Sequence, residues 1–129
     1  MITEMEKVQS KEFFVDSENE WEVLGGGISR KIMGYDETIM AVKVLFEKGA
    51  LGTPHQHVHA QITYVVEGTF ELTIGDQVKV LKGGDSFYIP SNVMHSCLCL
   101  EDGMLIDTFS PVREDFLDGS KPAYLGGGK

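Results

Sequence analysis

Residues 49–68 read GALGTPHQHVHAQITYVVEG, and this stretch decides the fold. Three of the chain's four histidines, His55, His57 and His59, lie inside it. The fourth, His95, follows a second ordered stretch, GDSFYIPSNVMHS, at residues 84–96. In a strand, residues two apart point to the same face. His55 and His57 can therefore aim both imidazoles at one point without a helix. Imidazole is the commonest protein metal ligand near neutral pH, and an H-x-H pair with a distant histidine makes a reasonable shell.

Gln61 is the next candidate along the chain. A straight strand would part it from His55 by ~20 Å, whereas ligands lie ~2.0–2.2 Å from one metal. The chain must therefore turn near residues 58–60 if both contribute. That places His55 and His57 at the end of one strand and Gln61 at the start of the next. His59 then falls in the turn, beside the shell or on the surface rather than in it. The competing reading, four unrelated histidines, leaves their clustering unexplained.

Outward from this centre the pattern is strand, turn, strand. Ile39–Phe46 (IMAVKVLF) is rich in apolar and β-branched residues. Residues 62–66 and 69–74 flank Glu67-Gly68, which reads as a two-residue hairpin. Gly75-Asp76 turns the chain into residues 77–81, residues 82–85 turn it again, and Ser86–Ile89 ends at Pro90. Residues 95–100 and 104–109 flank Glu101-Asp102-Gly103. A short strand is expected at residues 13–15 and one helical turn at residues 113–117. Short strands with Gly turns predict an all-β sandwich or barrel. The glycines of WEVLGGG (residues 21–27) mark a tight bend or a close approach. They are no phosphate loop, because neither GxGxxG nor GK[ST] follows. Residues 1–12 read as a loose lead-in and residues 118–129 as a mobile tail, with a single domain between.

At 129 residues the chain has enough length for one core. Its net charge of −9 argues against a nucleic-acid partner, which needs a basic footprint. No apolar run approaches the length of a membrane span. The N-terminus carries acidic residues and no apolar secretory core, so the cytoplasm is expected. Cys97 and Cys99 fall on one strand face, share parity with His95, and read as buried small hydrophobes rather than ligands.

Leu105, Asp107 and Phe109 alternate with Ile106 and Thr108 and so share one face. An aspartate between leucine and phenylalanine on that face breaks binary pattern, and such breaks tend to be functional. The alternative is that Asp107 faces solvent. Arg113, just past Pro111, can clamp a carboxylate with two parallel bonds. Its alternative is a surface salt bridge with Glu114 or Asp115.

The spacing Gly49-x5-His55-x-His57-x3-Gln61-x6-Gly68 resembles the first cupin motif, with Gln61 in place of its glutamate. Gly84-x5-Pro90-x-Asn92-x2-His95 resembles the second, with Asn92 for a glycine and Cys99 for the final asparagine. The resemblance implies a double-stranded β-helix, the cupin jelly-roll barrel, around one metal. Residues 21–27, Arg30-Lys31, residues 46–50, the HQHVHAQ run and DTFSPVREDFL (residues 107–117) are similar to the KdgF family of small cupins. That match spans residues 13–117.

The resemblance implies that His55, His57, Gln61 and His95 bind a divalent transition metal, and that Asp107, Phe109 and Arg113 act on substrate. It implies an enzyme that linearises 4,5-unsaturated monouronates released from pectin or alginate. Losing the glutamate leaves neutral ligands, so the ion keeps its full charge and favours anionic oxygen. Nickel, zinc, iron, manganese and copper all suit His and Gln ligands. A homodimer is implied as well. The rival expectations are a metal-dependent dioxygenase on the same barrel and a sugar-binding cupin without catalysis.

Overall fold

The structure is a computed structural model and describes residues 8–117. Its strands are β1 (Glu22–Gly25), β2 (Ile28–Asp36), β3 (Ile39–Phe46), β4 (Leu51–His55), β5 (Ala60–Ile74), β6 (Gln77–Lys82), β7 (Ser86–Ile89) and β8 (His95–Ser110). One helical turn, α1 (Glu114–Leu117), follows. All pairings between these strands are antiparallel.

β3 shows why the sequence makes strands: Met40, Val42, Val44 and Phe46 are buried while the residues between them are not. Period-two burial is what a half-buried strand requires. β5 and β8 are the long pair, and each serves two sheets. The first half of β5 lies between β7 and the second half of β8. The second half of β5 lies between β6 and the first half of β8. β1, β2 and β3 extend one sheet, and β4 extends the other. The two sheets enclose a core that includes Val42, Val44, Val65, Phe70, Leu72 and Leu105. This is the jelly-roll barrel that the two motifs predict.

Three expectations need correction. Glu67-Gly68 is not a hairpin, and Glu101-Asp102-Gly103 is not a turn: β5 and β8 run straight through both. The register slips there instead, at Glu67 and Thr69. Gly68 adopts φ 91°, which bends the strand without reversing it. A Cβ on Gly68 would sit 2.5 Å from Gly103 Cα, so the two strands cross backbone to backbone. The third correction is at residues 13–15, which form no strand and lead into a 3-10 turn at Asp16–Glu18. Phe13 is exposed.

Of the expected lead-in, Gln9 bridges Asp36, and the Ser10 N–H donates to the Tyr35 carbonyl. Asp16 accepts from both Lys31 and Lys43, fixing this segment to β2 and β3. The expected tail at residues 118–129 lies outside the described residues. No helix among the described residues is long and apolar enough to cross a membrane.

Candidate metal centre

His55 ends β4 and His95 opens β8, and the two stand opposite each other in the β4–β8 pairing. A register slip between Gly52 and His55 brings them level. The chain bends at residues 58–59, as the spacing predicts, so Gln61 enters near the start of β5. His57 lies in the connecting loop rather than on the end of β4, which differs from the sequence expectation. Its position is held from outside: the Asn92 N–H donates to the His57 carbonyl at 2.7 Å. Asn92 occupies the motif's glycine position with φ 62°, a conformation that asparagine tolerates better than most residues.

The ligand atoms of His55, His57 and His95 lie within 4.8 Å of one another, a span close to that of a metal shell. Each ring is oriented by a backbone carbonyl. His55 Nδ1 donates to Thr53 O at 2.8 Å, His57 Nδ1 to His59 O at 2.9 Å, and His95 Nδ1 to Val93 O at 2.9 Å. A carbonyl only accepts, so Nδ1 carries the proton and Nε2 the lone pair on all three rings. His95 Nε2 is buried with no hydrogen-bond partner.

Gln61 supplies a sharper test. Its Nε2 donates to Thr63 Oγ1 at 2.9 Å and to Asp107 Oδ1 at 3.3 Å, so its Oε1 points the other way. That oxygen stands 3.1 Å from His57 Nε2. Two lone-pair atoms face each other there, an arrangement that a cation resolves. A second proton on His57 is disfavoured, because burial, with the Arg113 and His95 charges adding to it, lowers its pKa from 6.5 to about 4. Burial lowers His55 to about 4 as well, and pushes His95 down. The residues present therefore fit a divalent metal.

His59 stays outside this cluster. Its ring centroid lies 5.5 Å from that of His57, and its carbonyl orients the His57 ring.

Asp107, Phe109 and Arg113 line one pocket together with His55, His95 and Gln61. Val44, Phe46, Leu72 and Leu105 line it too, with Cys97. Asp107 is 7% exposed and faces inward, so the solvent-facing alternative fails. Burial raises its carboxyl from 3.8 to about 6, while Thr63, Arg113 and Gln61 pull it back down. The ring of Phe109 packs edge-on against those of His57 and Phe116.

Arg113 does pair with Asp115, but not at the surface, for it is 4% exposed. Its Nε donates to Asp115 Oδ1 at 3.0 Å and its Nη2 to Asp115 Oδ2 at 2.9 Å. One edge of the guanidinium is thus occupied. Nη1, buried and unpartnered, belongs to the other edge. Phe116 holds the segment down: the guanidinium carbons of Arg30 and Arg113 lie 4.2 and 4.4 Å from its ring centroid. Both cysteines are free, and Cys99 is buried. Burial raises the Cys97 thiol far above its ordinary value, which keeps it protonated and inert.

Sequence reasoning missed Thr63, and it named Asp115 only as one partner of a surface salt bridge. Thr63 carried a signal: it shares parity with Gln61 and is a polar residue on an inward face.

The chain and its fold have known relatives. Residues 42–106 match the family model of the cupin domain. The chain is 50% identical over 109 residues to the pectin degradation protein KdgF of Dickeya dadantii (strain 3937), covering 83% of this chain and 99% of that one. Among solved structures, an RmlC-like cupin from Shewanella frigidimarina superposes with TM-score 0.82 at 48% identity, over 84% of this chain and 97% of that one. KdgF from Halomonas sp. superposes with TM-score 0.79 at 44% identity, over 83% of this chain and 99% of that one. The chain belongs to the cupin family, and within it to the KdgF group.

Proposed function

We propose that this protein is a metal-dependent enzyme that linearises 4,5-unsaturated monouronates, the monomers left when lyases cleave pectin or alginate. The observation that carries the reading is a cluster of His55, His57 and His95 beside a pocket that His55, His95 and Gln61 line together with the buried Asp107, Phe109 and Arg113. The substrate bears a carboxylate and the ring oxygen on C5 of a C4=C5 double bond. Opening the hemiacetal frees a C1 aldehyde and a C5 enol, and a proton delivered to C4 gives the 5-keto acid.

His55, His57, Gln61 and His95 hold a divalent transition metal, which supplies Lewis acidity toward the developing oxygen anion. The ligand set suits nickel, zinc, iron, manganese or copper. Arg113 anchors the carboxylate through its Nη1 edge, since Asp115 fills the other. Asp107 takes the proton from oxygen and returns it to C4, and its pKa near 6 suits both directions at neutral pH. Phe109 packs on the sugar ring.

Loss of the unsaturated-uronate absorbance in the ultraviolet tests this. Purified protein removes it, a chelator stops the loss, and added metal restores it. Binding of the uronate without any absorbance change overturns the enzymatic reading.

The whole chain acts as a single cupin domain in this reading, and its free thiols Cys97 and Cys99 suit the reducing cytoplasm. Ile62, Tyr64 and Tyr88 lie exposed together on an outer sheet face, which suits a homodimer. Sedimentation of a Tyr64→Glu variant tests the pairing: it runs as monomer where the wild type runs as dimer.

A further inference from the structure

Thr63 has no solvent exposure and stands directly opposite Asp107 in the β5–β8 pairing. Its Oγ1 donates to Asp107 Oδ1 at 2.6 Å and accepts from Gln61 Nε2 at 2.9 Å. The direction of these bonds is forced. The Asp107 carboxylate has only lone pairs to offer, so the single threonine proton points at it. The threonine lone pair then faces Gln61, and only the amide NH2 can meet it. With the nitrogen held there, Gln61 Oε1 is turned toward His57 and the point where the three imidazoles converge.

Without the hydroxyl, less would separate the two ends of the Gln61 amide, which have nearly the same shape. The end-for-end flip would bring an oxygen against the Asp107 carboxylate and an NH2 against the metal. We infer that Thr63 is a positioning residue that fixes the amide of Gln61 so that its oxygen, not its nitrogen, faces the metal. The same contacts account for glutamine where the cupin motif has glutamate. A carboxylate at position 61 has no proton to give Thr63 or Asp107, and it would set two like charges at hydrogen-bond distance. This inference rests on the metal reading of the site.

The test compares wild type with Thr63→Val and Thr63→Ser. Zinc affinity is measured by competition with a chromophoric chelator, and the visible spectrum of the cobalt(II)-loaded protein reports the ligand set. Thr63→Val is nearly isosteric and exchanges the hydroxyl for a methyl. It should weaken zinc binding by roughly 10–100-fold, the usual effect of losing an outer hydrogen-bond partner of a ligand, and should change the cobalt spectrum. Thr63→Ser should restore both. Should Thr63→Val fold poorly, Thr63→Ala removes the same hydroxyl without adding a methyl and must show the same loss. Zinc affinity and a cobalt spectrum unchanged in the folded Val or Ala variant overturn the role of Thr63 and leave the metal site standing. A wild type that binds neither zinc nor cobalt overturns the metal reading and this inference with it.

Discussion

In the proposed reaction Asp107 and Arg113 divide the polar work of the pocket, and substitutions should separate them. An asparagine in place of Asp107 would keep an oxygen for Thr63 and Gln61 but could not take up and return a proton. Asp107→Asn should therefore retain fold and metal while kcat falls roughly 10²–10⁴-fold. Arg113→Lys should instead raise KM, because an ammonium cannot bridge Asp115 on one edge and a carboxylate on the other. Steady-state kinetics at equal metal content distinguishes the two, and a near-normal kcat in Asp107→Asn would remove that residue from the chemistry. Asp107 and Arg113 were candidates in the sequence because the first breaks an apolar pattern and the second follows a turn, whereas Phe109 was a candidate only through the family resemblance. Thr63 was not singled out, because a threonine in a strand satisfies β propensity and its parity with Gln61 gains meaning only once its partner across the sheet is known.

At the scale of elements, the crossing of β5 and β8 is the tightest backbone approach among the described glycines. Gly103 has no positive φ, yet a Cβ there would press on the Glu67 carbonyl and the Phe70 ring. Gly103→Ala should destabilise by about 1–3 kcal/mol through overpacking alone, read as a melting temperature lower by several degrees. An unchanged melting curve would mean that the strands can part there without loss. The same crossing explains why this element was misread. Glu-Gly between two apolar runs is a sound local signal for a two-residue turn. What overrides it is Gly103, far along the chain, whose missing side chain lets β8 pass so close that β5 continues. The turns after β5 and β6, by contrast, depend on neighbouring residues only, and they were legible.

For the whole molecule, acid stability follows from the buried imidazoles. His55 and His57 titrate near 4 in the folded protein against 6.5 when free. The unfolded chain binds more protons between those values, so metal-free stability is full above 6.5 and falls as pH drops toward 4. Asp107, raised from 3.8 to about 6, acts in the opposite sense over part of that window, but it is one group against two. Because a metal needs neutral imidazole, the loaded protein should keep its metal at pH 5.5 and release it only near 4. Metal content after dialysis at stepped pH checks this, and release centred at 6.5 would contradict the burial of the rings. The site is also bound to the order in which the chain folds. Gln61 and Thr63 on β5 meet Phe109 and Asp107 on β8, so half of the pocket exists only once two distant segments have found each other. Closing so long a loop comes late and slowly in β-rich chains. Activity should then return in step with the last and slowest phase of refolding, and a partly folded form that lacks the β5–β8 pairing should show none.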